Sequence, residues 1–169
     1  MKNRDDALVR KILEYCDETN EAIQTFGDDE KMLTENKVFR NAVCMPILQI
    51  GELCKLISSD LRETKPDVDW SGWCGVRDIM AHQYTNLDYK KTWKIIKNDI
   101  PVLKEKLSKI SLEFDREAIE RISLVMNKIG FYKETSEVVY HRIIDGTGIS
   151  MNQFSDEKIV EFIESFMDK

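Results

Sequence analysis

The sequence predicts an all-α protein, an up-and-down helical bundle followed by a further helical extension. Apolar residues recur at spacings of three and four through most of the chain, the period of a half-buried helix. No segment alternates apolar and polar residues over strand length, and there is no internal repeat or low-complexity tract. Turn chemistry, chiefly Gly, Asp, Asn and Pro, falls between the periodic segments.

Leu8, Ile12, Tyr15/Cys16, Thr19, Ile23 and Phe26 form the first stripe, which Gly27-Asp28-Asp29 ends. A second helix is expected from near Thr34 to about Leu61, with Val38, Ala42, Met45, Gln49, Leu53, Leu56 and Ile57 on one face. Cys44, Ile47 and Leu48 widen that face beyond what one neighbour needs, so one side reads as core and the other as a self-association surface. Pro46 deletes a backbone hydrogen bond within it and should kink it, while Gly51 permits close approach of another helix. Lys65-Pro66-Asp67 and Ser71-Gly72 read as a loop carrying Trp70 and Trp73. A third helix is expected to begin around Trp73. The chain turns near Asn86-Leu87-Asp88 into a fourth, with Tyr89, Trp93, Ile96 and Ile100 as its stripe. Pro101 interrupts that helix or opens its continuation, Val102 to Ile110. Beyond Ser111, Asp115 can cap Arg116–Ile129. A helix over Lys133–Ile144, a turn at Asp145-Gly146-Thr147-Gly148, and a Ser155-capped helix over Asp156–Met167 complete the chain.

At 169 residues the chain can bury a real core without covalent staples. It divides into a bundle over 1–110 and an acidic helical extension over 111–169. Of the net charge of −6, most sits in that extension, where 12 acidic side chains face 7 basic ones. An acidic chain argues against general nucleic-acid binding. Lys90, Lys91, Lys94, Lys97, Lys104, Lys106 and Lys109 nevertheless form a local basic excess against Asp88, Asp99 and Glu105, able to contact phosphates or to serve as a solvated face. The four cysteines, Cys16, Cys44, Cys54 and Cys74, lack the paired spacing of a zinc site and read as reduced, packed thiols. No apolar run is long enough for a membrane span, and the amino terminus has no apolar signal core, so the chain reads as cytoplasmic. His141, alone in the extension, reads as structural.

The chemistry concentrates in Arg77-Asp78-Ile79-Met80-Ala81-His82-Gln83-Tyr84. Stepping about 100° per residue puts Val76, Ile79, Met80, Gln83 and Leu87 on the core side. Tyr84, Arg77, Ala81, Asp78 and His82 share the opposite arc, with the small Ala81 at its centre. Arg77 offers a planar fork of donors for a phosphate. His82 can take or give a proton near neutral pH. Asp78, four residues earlier, could fix its tautomer. These groups suit phosphodiester chemistry without a carboxylate cage for magnesium. That points to RNA, whose 2′-hydroxyl can attack its own phosphate.

Five ordered strings carry a resemblance: Val38-Phe39-Arg40-Asn41-Ala42; Ile50-Gly51-Glu52-Leu53-Cys54-Lys55-Leu56; Pro66-Asp67-Val68-Asp69-Trp70; Gly75-Val76 through Tyr84; and Trp93-Lys94-Ile95-Ile96-Lys97-Asn98-Asp99-Ile100-Pro101. Together they resemble the HepT-like branch of the HEPN superfamily over about residues 5–110. The resemblance implies a dimeric helical bundle in which the Arg-x4-His motifs of two protomers meet at a cleft as a metal-independent endoribonuclease. It implies that Arg77 and His82 are catalytic and that Asp78 assists, with no cofactor. It also implies a toxin whose partner is a small nucleotidyltransferase antitoxin of the MntA kind, able to attach AMP to the tyrosine of Arg-x4-His-x-Tyr, here Tyr84. Nucleotide added there would set negative charge beside Arg77 and fill the space over Ala81. Pro46 departs from the family's continuous long helix, and residues 111–169 lie outside the resemblance. The competing reading is a non-catalytic module in which the same polar cleft holds a nucleotide or a protein partner.

Overall fold

A computed structural model describes residues 2–82, 87–147 and 154–167, with side chains described for 4–80, 87–147 and 154–165. These residues are all-α, as the periodicity predicts, and no strand occurs among them. The chain divides into two compact units: residues 8–109, and residues 1–7 together with 110–169. No helix among the described residues is long and apolar enough to cross a membrane.

In the unit of residues 8–109, helix α1 (Lys2–Phe26) buries Val9, Ile12, Cys16, Thr19 and Ala22, one stripe rotated slightly from the expected one. Thr19, fully buried, donates its hydroxyl to the Tyr15 carbonyl at 2.9 Å, so the polar group costs little. Gly27 ends the helix at φ +112°, a conformation that strains any residue with a Cβ.

The single helix expected over 34–61 is instead three. A one-turn α2 (Met32–Glu35) stops at Asn36, whose extended backbone and side chain cap α3 (Lys37–Leu56). The Asn36 Oδ1 accepts from the amides of Val38 and Phe39 at 2.9 and 3.0 Å, a cap worth about 1 kcal/mol. Ser58 then caps α4 (Ser59–Thr64). Helix α3 runs unbroken through Pro46, which is itself buried. Its inner face is Phe39, Val43, Cys44, Ile47, Ile50 and Cys54. Its outer face leaves Val38, Met45 and Leu56 exposed.

Helix α5 (Trp70–His82) begins three residues before the expected start. Asp69 caps it, accepting from the Gly72 amide at 2.8 Å and the Ser71 hydroxyl at 3.1 Å. Trp70 and Trp73 are therefore buried residues of the helix and not loop residues. Asp88 caps α6 (Tyr89–Lys94) by accepting from the Lys91 amide at 3.1 Å. A π-helical turn over Ile95–Asp99 follows, closed by the Ile100 amide on the Ile95 carbonyl. Pro101 then occupies the second position of α7 (Ile100–Ile129), where a missing amide hydrogen is tolerated. The extra residue of the π turn lets the chain carry that proline without ending the helical run.

Residues 110–169 build a separate core. Helix α7 is continuous for 30 residues, so Asp115 is not a cap. Its carboxylate accepts the Tyr140 hydroxyl at 2.5 Å. Gly130, at φ +70°, ends α7, and the Phe131 amide returns to the Met126 carbonyl at 2.9 Å. Helix α8 (Ser136–Thr147) lies three residues later than expected. Helix α9 (Asp156–Met167) has the expected bounds and the expected cap, Ser155 accepting from the Lys158 amide at 3.3 Å. Ile122, Val139, Ile143, Ile159 and Ile163 are the fully buried centre of this unit.

Burial pushes the thiols of Cys16 and Cys54 up to about 12 and that of Cys44 up to about 11, because a thiolate is poorly solvated there. In a thiol-reagent titration at pH 8, these three should stay unmodified in the folded protein and react only in denaturant. Rapid native labelling of all three would mean that this core is not formed in solution.

Candidate active site

Helices α3 and α5 pack face to face at Gly51, and this contact sets the position of Arg77. A Cβ at residue 51 would collide with the Cβ of Arg77 and lie 2.7 Å from the Trp73 carbonyl oxygen. Only glycine lets the two backbones approach this far. Arg77 is thus anchored at its own main chain, one residue across from Glu52 and near Lys55 on the facing helix.

Four charged side chains, two of each sign, meet there. The Nε of Arg77 and the Oε1 of Glu52 face one another as an ion pair, and both atoms are shielded from solvent. The Nη1 of Arg77 donates to Asp78 Oδ1 at 3.2 Å. Lys55 Nζ donates to the same oxygen at 2.7 Å. The donation from Lys55, followed by that from Arg77, holds the exposed Asp78 carboxyl below the usual carboxylate range. Asp78 thus has partners the sequence did not announce. Glu52 and Lys55 lie three apart on α3 and were visible only as members of the string that begins at Ile50. An acid directly after a buried helical glycine was the available signal.

His82 is the last residue of α5, and its side chain, like that of Ala81, lies outside the described residues. Gln83 and Tyr84 lie outside them altogether. Of the expected reactive set, the structure brings Arg77 and Asp78 together. On the expected core side, Met80 and Leu87 are buried. Ile79 is 51% exposed, contrary to its angular position. It lines a cavity of about 280 Å³ with Val76, Met80, Leu87, Lys91 and Ile95, so that face of α5 is only partly covered.

The basic excess is largely neutralised within its own unit. Lys97 pairs with Asp28 at 2.6 Å, Lys104 with Asp17, and Lys109 with Glu105 at 2.7 Å. Lys106 donates to the Asp67 carbonyl, and Lys91 lies 3.6 Å from Asp88. Lys90 and Lys94 of α6 are exposed without such a partner among the described residues. No group of three or more His, Cys, Asp or Glu among the described residues is disposed to hold a metal ion. A groove of about 670 Å³ lies along the outer face of α3, lined by Val38, Asn41, Ala42, Met45, Leu48 and Met80.

Comparison with known sequences places these features in a family. The family described as ribonuclease HepT-like matches residues 12–110. A Methanocaldococcus jannaschii protein whose name describes a candidate RNase is 37% identical over 109 residues, covering 63% of this chain and 97% of its own. A Thermococcus cleftensis protein named as a probable ribonuclease HepT is 34% identical over 109 residues, covering 61% of this chain and 98% of its own. A second M. jannaschii protein, whose name joins a gamma-glutamylcyclotransferase to a candidate RNase, is 29% identical over 156 residues, 89% of this chain and 70% of its own. That last match necessarily takes in residues beyond the family's span. No solved structure matches the chain.

Because Asp78 is depressed in the folded state, its contribution to stability is present above its unfolded value and is lost as pH falls through the folded one. The window therefore lies below about pH 4. Lys55→Ala should raise the Asp78 value toward that of an ordinary carboxylate, read by carboxyl-carbon NMR titration. An unchanged titration in that variant would mean that the Lys55–Asp78 contact does not persist in solution.

Proposed function

The chain belongs to the ribonuclease HepT-like family, and from that premise we propose that it is a metal-independent endoribonuclease acting as the toxin of a toxin–antitoxin pair. The observation that carries this reading is the anchoring of Arg77. Its Nε faces Glu52 and its Nη1 faces Asp78, which fixes the guanidinium plane and leaves further donors for a phosphate. His82 ends the same helix, five residues on.

In the proposed reaction, His82 accepts the proton of an RNA 2′-hydroxyl. The 2′-oxygen bonds to the adjacent phosphorus, and the bond from phosphorus to the 5′-oxygen breaks. The leaving oxygen takes up a proton, which the same motif of a second copy can supply. Arg77 stabilises the charge that builds on the phosphoryl oxygens. Asp78, held by Lys55, orients the polar arc. The products are a 2′,3′-cyclic phosphate and a 5′-hydroxyl.

The second copy is expected on the outer face of α3, where Met45 is 58% exposed beside the apolar groove. Clustered apolar exposure of this kind marks an interaction surface. The proposed antitoxin is a nucleotidyltransferase of the MntA kind. It would silence the site by AMP transfer to Tyr84, the phenol oxygen attacking the α-phosphorus of ATP and pyrophosphate leaving. A neighbouring reading frame that encodes a minimal nucleotidyltransferase would support that pairing, and its absence would favour an isolated binding role. The competing reading, a non-catalytic module that binds a nucleotide or a protein, draws support from the neutralised lysines, which leave little basic surface for RNA.

Purified protein should cleave RNA in EDTA and leave cyclic phosphate ends. Arg77→Ala and His82→Ala, folded and dimeric, should each lose about 10²-fold or more. Equal inactivity of all three proteins on varied RNAs would favour the binding module, and activity surviving in both variants would put the site elsewhere.

Met45→Glu should shift the protein toward monomer by sedimentation and lower cleavage in parallel. A fully dimeric Met45→Glu variant would move the interface off this face.

A further inference from the structure

The contacts of Arg77 reach past the residues read as reactive. A guanidinium carries five N–H donors in one plane, and a single anchored donor does not fix that plane. Here the Nε is ion-paired with Glu52 from the facing helix, and the Nη1 donates to Asp78 on its own. No described residue takes up the Nη2. Two directions of the fork are therefore set by protein acids.

Stability alone does not explain Glu52. A surface pair between these residue types is worth little, and a carboxylate oxygen shielded from water is costly unless it faces a cation. A carboxylate at this position also opposes an incoming phosphate. Retaining it makes physical sense if its value lies in the geometry it imposes on Arg77.

We propose that Glu52 is the positioning residue of the site, holding Arg77 by its Nε so that the Nη2 edge meets the phosphate undergoing attack. This deepens the ribonuclease reading and rests on it. Gly51 brings the backbones of α3 and α5 together, and Glu52, the next residue, orients the side chain that this approach anchors. Glu52 itself does not contact the substrate.

The test uses the full-length dimer with Glu52→Ala, Glu52→Gln, Arg77→Lys and the Glu52→Ala/Arg77→Lys double variant, each checked for folding and dimerisation. Glu52→Ala should lose about 10²-fold in kcat, the cost of a misplaced catalytic group. Its KM should stay level or fall, because a like charge has left the phosphate's vicinity. Glu52→Gln keeps an acceptor for Nε and should lose much less. In the Arg77→Lys background, which has no Nε–H to hold, removing Glu52 should add little further loss. Independently of activity, the Arg77 Nε–H should exchange slowly with water in the wild type and rapidly in Glu52→Ala.

A folded Glu52→Ala with wild-type kcat, or an equal loss in both backgrounds, overturns the proposal. So does an Nε–H that already exchanges rapidly in the wild type. If Arg77→Ala cleaves as well as wild type, or if wild type does not cleave, the ribonuclease reading falls. The exchange measurement then still decides whether Glu52 holds Arg77.

Discussion

The approach of two helices at Gly51 is the constraint from which the rest of the site follows. Without a side chain at that position, α3 meets α5 at the Cβ of Arg77 and the carbonyl of Trp73. Any larger residue would push α5 outward, and because core packing has little slack, the displacement would be felt along the helix to His82. Trp70 and Trp73 are buried in the first turns of α5, with the Trp70 indole donating to the Lys65 carbonyl at 3.1 Å. They anchor the end of the helix opposite Arg77 and His82. The two tryptophans of α5 and the close approach at Gly51 thus bear on one object, the placement of an arginine.

Much of the architecture was legible because the signals were local. The Ser155 cap fixed α9, Asp88 fixed α6, and Gly27 ended α1 through its positive φ. The misses came where two local signals competed. Asn36 and Ser58 split what the apolar period presented as one helix, because a period is indifferent to a cap that interrupts it. Ser71-Gly72 looked like loop chemistry, but Asp69 recruited both residues into the first turn of α5. Asp115 had the composition of a cap and was taken instead by a tertiary partner, Tyr140. The site divides in the same way. Arg77 and Asp78 could be read from helical angle alone. Glu52 and Lys55 could not, because their pairing depends on which helix lies opposite and at what distance. Ile79 fell to a related limit: a helical wheel assigns a face but not how much of that face a neighbour covers.

The unit formed by residues 1–7 and 110–169 has its own apolar centre around Ile122, Ile143, Ile159 and Ile163. Within it the Tyr140 hydroxyl donates to Asp115, which gives the phenol a partner where an unpaired one would be costly. Arg142 makes two parallel donations to Glu134, at 2.7 Å each, across the loop that follows α7. Such bidentate geometry is directional and complements the Gly130 turn in fixing how α8 leaves α7. These features account for a folded extension beyond the family's span in structural terms, and none of the four charged side chains in the Arg77 cluster comes from it.

Charge balance bears on how such a site could meet RNA. Glu52 and Asp78 cancel Arg77 and Lys55 at any distance larger than the cluster, and most of the lysines from Lys91 to Lys109 are matched by acids or a carbonyl. With a net charge of −6 overall, the chain has little long-range field to draw in a polyanion. In the proposed reaction attraction would arise at contact, where a phosphate would compete with Asp78 for Nη1. Asp78 can yield that donor, because Lys55 holds it at 2.7 Å against 3.2 Å for Arg77. Glu52 cannot yield as easily, since its paired oxygen is shielded from water. In the proposed reaction the two acids therefore play unequal parts beside the same arginine. One would be a partner that substrate displaces and the other a fixed support, so that a nearly neutral cluster would recognise phosphate by geometry where charge alone would fail.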